Sequence, residues 1–360
     1  MSNNDSIIAT KLENMPDELI LECCTYLAPY HVLLSLFGLN TRLNCTITEY
    51  RQNILIDGTS THLINRGYHY INSTLLPMMG YQVYSLTIVN PQESPLIKID
   101  QHTPNLEQLT FINCSINRLQ FYLSLLSSLK QLKELVIDCF RINCIEKIIN
   151  SNKYVNRIWI SDNDISLNDV AQYQYKHLTN LTIPLENVND LLILFKICPN
   201  IQYLNVHLKT YCPLSLDECT QLLKLNSLNL IAIHLKTPVN SNIQFDELAL
   251  IVKQLSTLEH LSIDIHTNDI ECVNGQRWES LFTLNLPHLL IFNCFILLRD
   301  FDMPTKQVNF KHVLDSFKSS YWTNDKCWKV SGYFHGSAWN KQICIHTAVP
   351  LIRRKYFYLL

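Results

Sequence analysis

The chain of 360 residues predicts an α/β protein. It should begin with a head of three short helices, continue as a curved array of strand–helix units, and end in an aromatic cap. The strands of the array should run parallel on the inside, with helices outside. Three observations predict this. An apolar-x-x-apolar-x-apolar triplet recurs nine times, at steps of 23 to 30 residues. Between triplets the apolar spacing lengthens to that of a helix. Triplets are missing from the first eighty residues and from the last sixty.

Composition narrows the function classes. Leu and Ile together fill 94 of 360 positions, which excludes a disordered chain. There are only 7 glycines, and neither GxGxxG nor GxxxxGK[ST] occurs, so nucleotide folds built on those loops are disfavoured. With 29 basic and 31 acidic residues, no bulk attraction to nucleic acid or an anionic membrane is expected. Residues 1–10 are polar and read as a disordered N-terminus rather than a secretory signal. The longest mostly apolar run, 286–298, is interrupted by Pro287, His288 and Asn293 and is too short to span a bilayer. A cytoplasmic or nuclear protein is expected. Its 13 cysteines, odd in number and without a CxxC pair, then read as free thiols packed as small apolar side chains.

The head occupies residues 11–52. Asn14 is placed to cap a helix whose first turn holds Pro16, Asp17 and Glu18, all favourable there. Leu19, Ile20, Cys23 and Leu27 form its apolar face. A second helix after Pro29 carries Val32, Leu33, Leu36 and Phe37, and a third after Gly38 carries Leu43, Ile47 and Tyr50. Three such helices enclose too little core to stand alone, so a partner is expected to complete them. Residues 53–82 read as a linker or first capping element.

The array spans 83–300. Its triplets are Val83-Leu86-Ile88, Leu106-Leu109-Phe111, Leu132-Leu135-Ile137, Val155-Ile158-Ile160, Leu178-Leu181-Ile183, Ile201-Leu204-Val206, Leu228-Ile231-Ile233, Leu258-Leu261-Ile263 and Leu286-Leu289-Ile291. Alternation within each triplet marks a short strand. Helical spacing follows at Leu119, Leu123 and Leu126, at Leu191, Leu192 and Phe195, and at Leu248, Ile251, Val252 and Leu255. Asp246 and Glu247 suit the start of the last of these helices. Three buried aliphatic side chains contribute about 5–9 kcal/mol. Ordering ~25 residues costs roughly 1–2 kcal/mol each in backbone entropy. No unit folds alone, so the units must stack.

Residues 301–360 are rich in aromatics, with alternating segments at 327–335 and 341–348 around Gly336-Ser337-Ala338. They read as a hairpin that covers the last edge of the array. A separate recognition element anchored by Trp328 and Trp339 is the other reading.

The repeated unit resembles the ribonuclease-inhibitor-like, cysteine-containing type of leucine-rich repeat. The Asn/Cys position that follows the strand is matched at Cys114, Asn163 and Cys294, while Glu186, Lys209 and His266 stand there in other units. The head resembles an F-box. Met15-Pro16-Asp17-Glu18-Leu19 matches the motif's opening, Tyr26-Leu27-Ala28-Pro29 its turn, and Val32-Leu33 the start of its next helix. In the closing segment Leu39-Asn40-Thr41-Arg42-Leu43, Arg42 matches and Leu43 replaces the usual Trp. Joined, the two modules resemble F-box–leucine-rich-repeat proteins over about four-fifths of the chain.

That resemblance implies a non-catalytic substrate receptor of a cullin-type ubiquitin ligase. The F-box would dock a Skp-family adaptor and, through it, a cullin, while the repeats hold an unidentified protein target. The adaptor contact carries over to Leu12, Met15, Pro16, Leu19, Leu27, Val32 and Leu33. A repeat scaffold or regulator whose divergent head is not engaged in ubiquitination is the alternative, left open by the altered closing segment.

For the target, mid-strand positions between the inward apolar residues are Asp138, Trp159, His207, His234, Asp264 and Phe292. Trp159 is the best anchor, because a rigid aromatic buries much area at small entropic cost. His207, His234 and Asp264 read as one strand position in three consecutive units, where two imidazoles and a carboxylate would be neighbours. That set is too small for an expected metal site, and no cofactor is expected. No GxSxG, HExxH or paired Cys–His motif points to an enzyme. Cys23-Cys24 reads as helix packing, and Cys139 and Cys144 as neighbours across a turn without a bond.

Overall fold

The computed structural model describes residues 14–26, 32, 35–36, 39–48, 52–57, 71–89, 96–139, 145–161, 167, 174–210, 229–239, 241–299, 310–336 and 341–347. The protein is α/β, its sheet mostly parallel. The chain divides into two compact units. One runs to Phe140 and takes in Ser151–Val155; the other holds Arg141–Asn150 and Asn156–Leu360.

The first unit opens with helices α1 (Asp17–Thr25) and α2 (Thr41–Thr48). Strands β1 (Gln52–Asp57), β2 (Val83–Val89), β3 (Gln108–Ile112) and β4 (Glu134–Asp138) follow, each parallel to the next. Parallel pairing therefore begins one strand earlier than the triplets indicate, because β1 lies in the segment read as a linker. Helix α3 (Ile116–Leu125) buries Leu119, Tyr122 and Leu123, and the Tyr122 ring sits 5.1 Å from Phe111 of β3. The helix thus covers the face of the strand that carries the triplet side chains.

The second unit repeats the scheme with more members. It contains α4 (Ile145–Asn150), β5 (Arg157–Ile160), β6 (Asn180–Leu185), α5 (Val188–Ile197), β7 (Tyr203–Leu208) and β8 (Ala232–Lys236). Helix α6 (Phe245–Val252), β9 (His260–Thr267), α7 (Gly275–Asn285) and β10 (Ile291–Arg299) complete the parallel run. Consecutive strands are neighbours throughout it, so each connection steps to the next strand in one direction. Helix starts obey local chemistry. Asn187 accepts from the amides of Asn189 and Asp190, and the Asn187 amide donates in return to the Asp190 carboxylate.

A backbone fork recurs at the start of β4 and of β6 to β10, and it ties repeat to repeat without using side chains. One carbonyl accepts from two successive amides of the following unit. Glu107 serves Lys133 and Glu134, Asn156 serves Thr179 and Asn180, and Thr179 serves Gln202 and Tyr203. Gln202, Ile231 and Glu259 continue the series to Ala232, His260 and Ile291. Asparagine amides add a second stitch. Asn105 donates to Tyr81 O and Asn200 to Lys176 O, each at 2.7 Å. Buried Asn152 donates to both Leu126 O and Leu129 O. Such turns use three of the chain's 34 asparagines.

The register corrects two triplets. Ile233 pairs with Leu204, so that unit's buried residues are Leu230, Ile233 and Leu235, two places beyond the set read from sequence. Phe292 pairs with Leu261, which makes the last set Leu289, Phe292 and Cys294, a shift of three. Cys294 therefore lies inside β10 rather than after it.

The parallel run ends in a hairpin. After α8 (Phe310–Asp315), β11 (Val330–Gly336) and β12 (Lys341–Thr347) pair antiparallel, and β12 lies antiparallel against β10. Below it, fully buried Trp322 packs against Phe282 of α7, Phe292 of β10, Phe317 and Trp328 at ring-centre distances of 4.9–6.3 Å. Trp328 Nε1 donates to Leu290 O and Lys326 Nζ to Leu289 O, fastening the cap to the loop before β10. Trp328 is thus a capping side chain rather than a free anchor, while Trp339 lies outside the described residues.

Candidate functional site

Two surfaces carry the functional candidates, one in each unit. In the head, α1 turns Ile20 inward to 1% exposure, together with Val32 at 2% and Leu43 at 1%. Leu19, its neighbour on the same helix, is 50% exposed. Pro16 is exposed and Met15 half-buried. Arg42 pins the start of α1 to α2, its Nη2 donating to Met15 O at 2.6 Å and to Asp17 Oδ1 at 2.7 Å. Asn40 Oδ1 accepts from the Leu43 amide at 2.8 Å and opens α2.

The adaptor residues expected from sequence separate accordingly. Met15, Pro16 and Leu19 lie together around the start of α1. Val32 does not join them, because its side chain fills the interior between the helices. Leu12, Leu27 and Leu33 lie outside the described residues. Of the described members of the apolar face expected on α1, Ile20 is buried, whereas Leu19 and Cys23 are exposed. Cys144, read as a neighbour of Cys139, lies outside the described residues, and so does Asn163.

The second surface is the open face of β5–β10, opposite the helices. Strand register arranges its side chains in rows. Trp159 heads one row, followed by Thr182, Asn205, His234, Ser262 and Asn293. Trp159 is 36% exposed. A second row runs His207, Lys236, Asp264, Phe295. Asp138, at the end of β4, belongs to the first unit and is half-buried.

Two expectations fail here. Phe292 does not face outward; it is 2% exposed and packs on Trp278 and Phe282. His207, His234 and Asp264 do not share a position, since Asp264 pairs with Lys236 and His234 with Ser262. His234 nevertheless stays beside His207, their ring centres 6.2 Å apart. Sequence reading missed Lys236 and Phe295, which follow once the register of β8 and β10 is set, and Asn205, which the alternation of β7 already turns to the open face.

The open face is electrically quiet around its histidines. Burial depresses His234 to about 4, with His207 and Lys236 adding to the shift and Asp264 opposing it. Burial, with Lys236, also lowers His207. His266 is lowered by burial and then by Arg299. Uncharged imidazoles can accept as well as donate, and His234 Nδ1 lies 2.8 Å from Ser262 Oγ. Lys236 Nζ meets Asp264 Oδ2 at 3.5 Å. Asn205 Oδ1 is buried without a hydrogen-bond partner among the described residues. Within the described residues, no three or more His, Cys, Asp or Glu side chains are grouped to hold a metal ion, and no helix is long and apolar enough to cross a membrane.

Such a face can bind a macromolecular surface through aromatic and neutral polar side chains. Comparison with known proteins adds no relative: no protein-family model and no curated protein matches the chain.

Proposed function

We propose that the protein is the non-catalytic substrate-recognition subunit of a Skp–cullin–F-box ubiquitin ligase, acting in the cytoplasm or nucleus. On this reading the head docks a Skp-family adaptor, and the parallel strand–helix units form a leucine-rich-repeat solenoid that holds a protein target. One observation carries most of the weight. The Met15-Pro16-Asp17-Glu18-Leu19 stretch leaves Pro16 and Leu19 exposed and Met15 half-buried, while Ile20, Val32 and Leu43 are buried behind them. A half-exposed leucine on a small helical head gains about 1–1.5 kcal/mol from burial against a partner. The target side rests on Trp159 and Phe295, each more than a third exposed on the open face.

A second reading, a repeat scaffold or regulator whose head is not engaged in ubiquitination, is favoured by the burial of Val32. That burial removes one of the seven side chains assigned to the adaptor. Pull-down of the full chain by recombinant Skp-family adaptor separates the two. Binding by the unsubstituted chain and its loss in Leu19→Asp support the ligase reading. Failure of the unsubstituted chain to bind, or equal binding by Leu19→Asp, overturns it.

A further inference from the structure

We propose that Cys114 and Cys139, in the segments that leave β3 and β4, are a redox-active dithiol that closes to a reversible disulfide when a hydroperoxide oxidises it. The geometry already brings the two residues together. The Cys114 amide donates to Cys139 Sγ at 3.2 Å, and Cys139 Sγ lies 3.7 Å from Phe111 O. Beside them the Asn113 amide donates to Asp138 O at 2.7 Å, which holds the two segments side by side. Asn113 has φ 52°, a left-handed conformation that asparagine tolerates, and the bend turns the next amide toward the sulfur. The register sets Ile112 opposite Asp138, so Cys114 lies one residue beyond the position that faces Cys139, and the amide-to-sulfur contact is what joins the two residues.

The surroundings distinguish this pair from the chain's other buried thiols. Burial alone pushes Cys198 up to about 12, and Cys272 also rises chiefly by burial. Cys139 moves the other way, because the Cys114 thiol donates a hydrogen bond to it and the Cys114 amide adds another. Cys139 thus gives up its proton more readily than Cys114, which makes Cys139 the attacking thiol and Cys114 the resolving one.

The chemistry balances with the peroxide as the oxidant. The Cys139 thiolate attacks one peroxide oxygen, the O–O bond breaks, and hydroxide or alkoxide leaves, giving a sulfenic acid. Cys114 then loses its proton and its sulfur attacks the sulfenic sulfur. The S–S bond forms, the S–O bond breaks, and the departing hydroxide takes up the proton as water. Two thiol hydrogens and two electrons pass to hydrogen peroxide, which becomes two waters.

The test uses the full chain, fully reduced, exposed to hydrogen peroxide and mapped by non-reducing peptide mass spectrometry. A linked Cys114–Cys139 peptide that forms ahead of other pairs and reverts with dithiothreitol is expected. The melting midpoint should rise on oxidation and not rise in Cys114→Ser. Oxidation of exposed Cys23, Cys45 and Cys327 with the buried pair left reduced overturns the proposal, and so does Cys139 driven to sulfinic acid without a bond. Mapping the unsubstituted chain decides between these results even if Cys114→Ser fails to fold.

Discussion

His234 Nδ1 lies 2.8 Å from the hydroxyl of Ser262, its register partner on β9, so an imidazole on the open face is held by the next strand. Burial lowers the folded pKa of His234 to about 4 from an ordinary 6.5. In that window the unfolded chain binds the proton and the folded chain does not. Stability contributed by the neutral ring is therefore complete above about pH 6.5 and is lost as pH falls toward 4. The loss should reach about 3 kcal/mol at the acid end, with lowered His207 acting in the same direction. Denaturant midpoints between pH 7 and 4 should fall more steeply for the unsubstituted chain than for His234→Gln. Parallel curves would remove His234 as the cause.

Adjacent residues on α1 should respond oppositely to the same change. Leu19→Asp places a carboxylate at a half-exposed site and should shift stability by less than ~1 kcal/mol. Ile20→Asp buries a charge among Val32 and Leu43 and should cost more than ~4 kcal/mol, melting the head. Limited proteolysis of the full chain, scored for cleavage within residues 1–52, checks the pair. A destabilised Leu19→Asp would mean that its effect on adaptor binding is a folding effect.

Two aromatic positions that look alike in sequence should separate in the same way. Phe292→Ala opens a hole among Trp278, Phe282, Trp322 and Trp328 and should cost about 3–5 kcal/mol. Trp159→Ala should cost less than ~1 kcal/mol in stability. Against a bound target it should weaken affinity by roughly 30-fold or more, the scale of a central aromatic contact. Equal melting losses in the two variants would contradict the register of β10.

Asn152 joins two carbonyls of the preceding unit and accepts from the Tyr154 amide at 2.7 Å. Asn152→Ala leaves Leu126 O and Leu129 O without that donor in a buried turn. The expected cost is about 2–4 kcal/mol, visible in urea unfolding. Asn105→Ala and Asn200→Ala, whose amides serve exposed turns, should cost no more than ~1 kcal/mol each.

Much of this fold was legible because period-2 alternation and a fixed repeat determine both strand position and inward face. Leu86, Leu109, Leu135, Ile158, Leu181 and Leu204 all pair, or lie buried, as their triplets require. Legibility failed where apolar residues crowd both sides of the pattern. Leu228, Leu230, Ile231, Ile233 and Leu235 permit more than one register. The slip there was two residues, which keeps the face, so His234 was placed outward correctly but in the wrong row. At Leu289-Leu290-Ile291-Phe292 the slip was three, which reverses the face, and Phe292 was read as outward when it is core. Val32 failed for another reason. A motif resemblance names side chains that touch a partner without saying which ones the isolated head keeps for its own interior.

The antiparallel placement of β12 on β10 sets where the parallel run stops. A parallel strand left last would accept another unit of its own kind, from the same chain or from another molecule. With β12 reversed there, the stacking of parallel units stops at β10 whatever precedes it. Whole units could then be duplicated or deleted upstream without disturbing the closure, provided that the final strand still offers a ring at the position of Phe292 to Trp322 and Trp328. Repeat number is thereby free to vary while the terminus stays the same.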